Sequence, residues 1–190
     1  MLSRNDYITL YKSLAIKATQ NTGLFPSVML AQAIVESNNG NSLLASKYNN
    51  HFGIKASKSW TGKKVNLNTR EVINGYSVSE GDYFRIYDSV EDSYIDRVNF
   101  LKQNPRYVNA GVFSAKTPLQ QLQALQSAGY ATDPNYAEIL NSVLVRENLG
   151  ILDSITSYAS AYTKKYPFVV FSIVILTITL IVLLYKKYIA

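Results

Sequence analysis

A single glutamate closes an otherwise uncharged run in "VMLAQAIVESNNGNS", residues 28–42. On a helical wheel advancing about 100° per residue, Val28, Met29, Leu30, Ala31, Ala33, Ile34 and Val35 cover almost the whole circumference. Gln32 and Glu36, one turn apart, form the polar strip that remains. A carboxyl group in apolar surroundings has its pKa raised, because its charged form loses solvation. Such a group stays protonated near neutral pH and can give its proton to a leaving oxygen, as a general acid must. The same pattern is also met by a solvated glutamate at a helix end. A second carboxylate, Glu71, falls by alternation on one strand face with Val65, Leu67, Thr69 and Ile73. That face borders a cleft, or Glu71 is a charge at a strand edge.

These residues need elements to hold them. Phe25 to Ser37 reads as a helix with Pro26 in its first turn, where a missing N–H costs nothing, and Ser37-Asn-Asn-Gly-Asn ends it. Residues 62–87 read as strands, with Asn74-Gly75 as a hairpin turn and a second turn at Glu80-Gly81-Asp82. Ile8, Tyr11, Leu14, Ala15 and Ala18 have helical spacing ahead of Gly23. Ser89 can cap a helix carrying Ile95, Val98 and Leu101. Thr117-Pro118 opens another, and Asp133-Pro134 opens a last one closed by Gly150. This order predicts an α+β domain, mainly helical, with a small β-hairpin lobe beside a cleft.

Composition narrows the chemistry. The 190 residues contain no cysteine and one histidine, His51, which leaves no thiolate nucleophile, disulfide or histidine-rich metal site. No cofactor is expected. The first 150 residues hold 15 basic and 12 acidic groups, too even a balance for a nucleic-acid surface. The 15 tyrosines suit carbohydrate, offering flat apolar faces with polar tips, although core packing uses them equally well.

Four motifs now stand in order: "AQAIVESNNGNSLLASKYNNHFGIK", "WTGKKVNLNTREV", "YFRIYDSVEDS" and "AGYATDPNYA". Together, from about residue 6 to 150, they resemble the glucosaminidase family of peptidoglycan hydrolases, which includes flagellar muramidase-like domains and bacterial autolysins. The resemblance implies a lysozyme-like fold and cleavage of the β-1,4 bond after N-acetylglucosamine in the glycan strand. Glu36 matches the family's essential glutamate, and Glu71 in "NTREV" a second glutamate on the β-lobe. Tyr130 in "AGYATDP" matches a tyrosine near the catalytic acid. Gln32, Asn50, Phe52 and Gly53 fall in the stretch expected to meet substrate, with Gly53 as a backbone turn and Phe52 as wall. Trp60 stacks on a sugar ring or packs against the lobe. Phe84, Arg85 and Tyr87 match a motif read as structural support. His51 sits at a variable position and Asn38-Asn39 where a bulkier residue is common.

The expected reaction is protonation of the glycosidic oxygen by Glu36 through an oxocarbenium-like transition state. Glu71 would activate water on the opposite face, or the substrate's own acetamido group would attack. Two alternatives compete: lytic transglycosylation, which needs one glutamate, and a catalytically silent wall-binding or membrane-assembly protein.

Beyond residue 150 the composition changes. Residues 151–165 read as a polar, partly helical stalk. Phe168–Tyr185 is uncharged between two lysine pairs, long enough for a membrane-spanning helix over 166–187 with a short tail at 188–190. Near the N-terminus, Asp6, Lys12 and Lys17 interrupt any secretory apolar run. A bilayer is therefore expected as a second partner beside the glycan strand. A phage enzyme held in a virion or host membrane fits this plan, as does a bacterial membrane protein with its N-terminus outward.

Overall fold

The computed structural model describes the backbone of residues 1–73 and 76–165, and the side chains in that range except those of 69–80, 158–160, 162 and 163. Among these residues the order is α1 (Arg4–Thr19), α2 (Pro26–Glu36), α3 (Leu43–Tyr48), β1 (Lys64–Ile73), β2 (Tyr76–Arg85), α4 (Val90–Gln103), α5 (Pro105–Asn109), α6 (Pro118–Ser127), α7 (Tyr136–Arg146) and α8 (Ile151–Lys165). Residues Met1–Asp153 form one compact unit and a second begins at Ser154.

α2 is the axle of the first unit. Every residue from Pro26 to Ile34 is buried, as a helix apolar on nearly all sides requires. α1, α6 and α7 pack around it. Its N-terminus is closed by Asp153, whose carboxylate accepts from Ser27 N at 3.0 Å and Ser27 Oγ at 2.6 Å, a favourable place for a negative charge. At the other end Asn38, Asn39 and Gly40 take left-handed backbone conformations with φ of 51°, 54° and 77°. Asparagine and glycine tolerate that region better than other residues, so the chain turns sharply just after Glu36.

The hairpin pairs Lys64 with Arg85 through Ile73 with Tyr76 in antiparallel register. Its expected turn, Asn74-Gly75, lies outside the described residues. The second expected turn, at Glu80-Gly81-Asp82, is not formed; β2 runs straight through it. A Cβ at Gly81 would lie 2.9 Å from Asn66 Oδ1, so the cross-strand Asn66 side chain rests against the bare glycine. A glycine inside a strand can mark close approach as readily as a bend.

The hairpin is tied to the helices at its root. Arg85 Nη1 and the Tyr87 hydroxyl both donate to Asp96 Oδ2 of α4, at 2.7 and 2.6 Å. Ser89 caps α4 in a reciprocal box with Asp92. The buried face of α4 is Ser93, Tyr94, Arg97, Val98 and Leu101, whereas Ile95 is 43% exposed. The apolar stripe was obscured because its central member is an arginine. Thr117 caps α6 as expected. α7 begins two residues after Pro134 and ends at Arg146, with Asn148 left-handed at φ 51°, so Gly150 precedes α8 rather than closing α7. Leu149 and Leu152 are buried, which makes the first turn of α8 part of the first unit's core. Among the described residues no helix is long and apolar enough to cross a membrane. The expected span at 166–187 and the tail at 188–190 lie outside them.

Candidate active site

Glu36 is the last residue of α2 and is partly buried. Its Oε1 accepts from the Tyr136 hydroxyl at 3.0 Å. That hydroxyl in turn accepts from Gln32 Nε2 at 2.8 Å, and Gln32 Oε1 accepts from Arg97 Nη2 at 2.6 Å. The polar strip of α2 therefore faces α7 and α4. Burial raises the Glu36 pKa, while the Tyr136 hydrogen bond and the Arg97 charge pull the other way; the net shift is upward. Its place at the negative end of the α2 dipole also disfavours the anion. Both effects shift Glu36 toward its protonated form, the direction a general acid needs.

Tyr130 is drawn into the same cluster. Its ring stacks with Tyr136 at 5.6 Å between centroids, and the Arg97 guanidinium lies 4.4 Å from its centroid. Burial pushes its phenol up to about 12, so it acts as a neutral hydroxyl. Phe52, 3% exposed, closes the other side, with Arg97 5.8 Å from its centroid. Phe52 is a core residue, with its ring edge-on to Tyr94 at 5.0 Å between centroids.

Gln32 and Asn50, expected to touch substrate, are occupied by the protein itself. Gln32 is 2% exposed and spends its amide on Tyr136 and Arg97. Asn50, 1% exposed, donates both amide hydrogens, to Ile54 O at 3.0 Å and Arg85 O at 2.9 Å, and accepts from Ile54 N at 3.0 Å. It closes the 50–54 loop and joins that loop to β2. Gly53 sits in this loop at φ +60°, with no heavy atom within 4 Å of where a Cβ would stand. The glycine is therefore required by backbone conformation and not by crowding. Trp60 takes the packing role: its Nε1 donates to Lys63 O at 3.1 Å, and the Arg85 guanidinium lies 4.3 Å from its ring centroid. Glu71 is in β1 opposite Val78, and its side chain is outside the described set.

Two members were missed from sequence. Arg97 was given no role, although its spacing of four from both Ser93 and Leu101 puts it on the buried stripe. Tyr136, in the quoted "DPNYA", was passed over for Tyr130. A separate depression of about 430 Å³ is lined by Ser3, Arg4, Asn5, Asn39, Arg146 and Glu147. Arg4 and Arg146 both bond Glu147 there, at 3.2 and 3.3 Å. Of the residues noted from sequence only Asn39 lines it, and its one acid, Glu147, is paired with the two arginines.

Comparison with known proteins gives the family and the fold. A family model described as Glucosaminidase, mannosyl-glycoprotein endo-beta-N-acetylglucosaminidase, matches residues 12–149. Peptidoglycan hydrolase FlgJ of Vibrio cholerae is 39% identical over 139 residues, which cover 72% of this chain and 41% of that protein. A probable N-acetylmuramidase of Lactococcus lactis is 37% identical over 161 residues, covering 82% and 36%. The chain thus spans less than half the length of these relatives. Among solved structures, the catalytic domain of the autolysin Auto from Listeria monocytogenes superposes with a TM-score of 0.70 at 32% identity, covering 79% of this chain and 87% of that one.

Proposed function

The chain belongs to the glucosaminidase family, and from that premise we propose that it is a glycoside hydrolase that cuts the β-1,4 bond after N-acetylglucosamine in peptidoglycan. The observation that carries this reading is Glu36: a carboxyl group held largely out of water, with its pKa raised by burial, on the central helix. Names of relatives, peptidoglycan hydrolase and autolysin among them, support the substrate class.

In the proposed reaction Glu36 gives its proton to the glycosidic oxygen as the C1–O bond breaks, and the bonding pair leaves with that oxygen. Positive charge builds at C1 and the ring oxygen. It is quenched by a water molecule that Glu71 deprotonates, or by the substrate's acetamido oxygen followed by water. Glu36 regains its proton from solvent in the first route and from the incoming water in the second.

Mass spectrometry of fragments released from purified peptidoglycan tests this reading. Fragments ending in reducing N-acetylglucosamine are expected. Reducing N-acetylmuramic acid would support the muramidase reading, which the Lactococcus relative's name favours. Anhydromuramic ends would mean transglycosylation, and no release at all would mean a silent wall-binding protein.

The uncharged run Phe168–Tyr185 supports a bilayer anchor at the C-terminal side. Carbonate extraction of membranes from expressing cells should leave the full chain in the pellet and release residues 1–165.

A further inference from the structure

We propose that Arg97 and Gln32 are positioning residues that decide which oxygen of Glu36 carries the transferable proton and that supply the counter-charge for the carboxylate left behind. The inference rests on the reading of Glu36 as the general acid.

The direction of the hydrogen bonds follows from their far end. A guanidinium has donors only, so the Gln32 oxygen must face Arg97, which fixes the amide's orientation. The Gln32 nitrogen then faces Tyr136 and donates to its oxygen. With that donor pressing on its oxygen, the Tyr136 hydroxyl turns its single proton to Glu36 Oε1. Oε1 is therefore a standing acceptor, and the acid proton of Glu36 belongs on Oε2, the oxygen free to meet a leaving group. Swapping any one donor for an acceptor would reverse the order.

Arg97 gives the chain its charge. It is fully buried, and among the described residues its Nε and Nη1 have no hydrogen-bond partner and no carboxylate lies within ion-pair distance. Its compensation is Gln32 Oε1 and the faces of Tyr130 and Phe52. A buried cation without a counter-ion is unfavourable. While Glu36 is protonated, Arg97 stays in that condition. When the proton moves from Oε2 to the glycosidic oxygen, the new carboxylate stands at the other end of three aligned hydrogen bonds. The charge that forms in the reaction is the one this site lacks, which is the arrangement electrostatic catalysis requires. The groups that face Glu36 among the described residues are Tyr136 from α7, Tyr130 from the segment before it, and Arg97 from α4.

Gln32→Glu tests the relay, because the variant keeps the shape and reverses one end. The new carboxylate accepts from both Arg97 and Tyr136, so the tyrosine proton leaves Glu36 Oε1 and the Arg97 charge is spent locally. With soluble peptidoglycan fragments, kcat should fall roughly ten- to hundredfold, the worth of a charge-assisted hydrogen bond, with KM unchanged. The thermal midpoint should hold or rise, because a buried ion pair is gained. The alkaline limb of the pH–rate profile should move to higher pH, since Glu36 loses a donor and gains an anionic neighbour. Wild-type kcat and an unmoved alkaline limb would overturn the relay. If Gln32→Glu does not fold, Gln32→Leu replaces it: the link between Arg97 and Tyr136 is cut, so kcat should fall in the molecules that fold, and a wild-type kcat would overturn the relay. Glu36→Gln run alongside separates the failures: if it is active, the acid assignment itself falls; if it is inactive while Gln32→Glu behaves as wild type, only the relay falls.

Discussion

Glu36 and Tyr136 lie 100 positions apart in the chain and share a hydrogen bond of 3.0 Å. The contact joins the C-terminal end of α2 to the first residue of α7, so the site is assembled by the packing of two helices and not by a loop. Helices position side chains more rigidly than loops do, which suits an acid whose proton must point one way.

Removing that contact should show in both rate and pH. Tyr136→Phe deletes the hydroxyl and leaves Gln32 Nε2 buried without an acceptor. Stability should drop by about 1–3 kcal/mol, read by urea denaturation. Glu36 loses the hydrogen bond that lowers its pKa, so its pKa rises further. Because the acid works only when protonated, the alkaline limb of kcat/KM should move to higher pH.

Asn50 offers a contrast between holding the fold and holding the sugar. Asn50→Ala breaks three buried hydrogen bonds to Ile54 and Arg85, at roughly 1 kcal/mol each. The expected result is a lower denaturation midpoint with KM little changed among molecules that remain folded. A raised KM at unchanged stability would return Asn50 to the substrate.

The reach of sequence reasoning differs between these residues for physical reasons. Glu36 was legible because one charge in an apolar wheel is conspicuous, and burial around α2 depends on local pattern. Arg97 is the same anomaly on α4, yet a cation on a half-polar helix looks like a solvated charge until its neighbours are known. Tyr136 was hidden because it is one of 15 tyrosines and its partner is far along the chain. Asn50 was recognised by its motif, but a motif marks that a residue matters without stating what it touches. Gly81 looked like a turn because glycine serves turns and close approaches alike.

His51, given no role from sequence, predicts a pH dependence of stability. It is 2% exposed, hydrogen-bonded through Nδ1 to the Tyr7 hydroxyl at 2.6 Å, and burial lowers its pKa to about 4. The unfolded chain takes up this proton near the ordinary value of about 6.5, the folded chain only near the lower one. Stability from this group is therefore complete above the unfolded value and is lost as pH falls between the two, by roughly 3 kcal/mol. Glu36 and Asp153, with raised pKa values, act in the opposite sense over the acid range. The comparison that isolates His51 is the unfolding free energy of wild type and His51→Gln at pH 7 and pH 5. The variant should lose less on acidification.

Trp60 should behave as a brace for the hairpin root. Trp60→Ala removes a ring lying against Arg85 and Tyr87, and a loss of about 1–3 kcal/mol is expected from the lost packing. Conservative Trp60→Phe should recover part of it in thermal denaturation, with activity following stability.

The most direct test of the whole account is the rate at which Glu36→Gln clears a suspension of purified cell walls. The amide keeps the shape and can still accept from Tyr136, but it has no proton to give. With the thermal midpoint near wild type, lysis should fall by roughly 10²–10⁴, the usual contribution of a general acid. Lysis by this variant at a rate close to wild type would contradict the central claim.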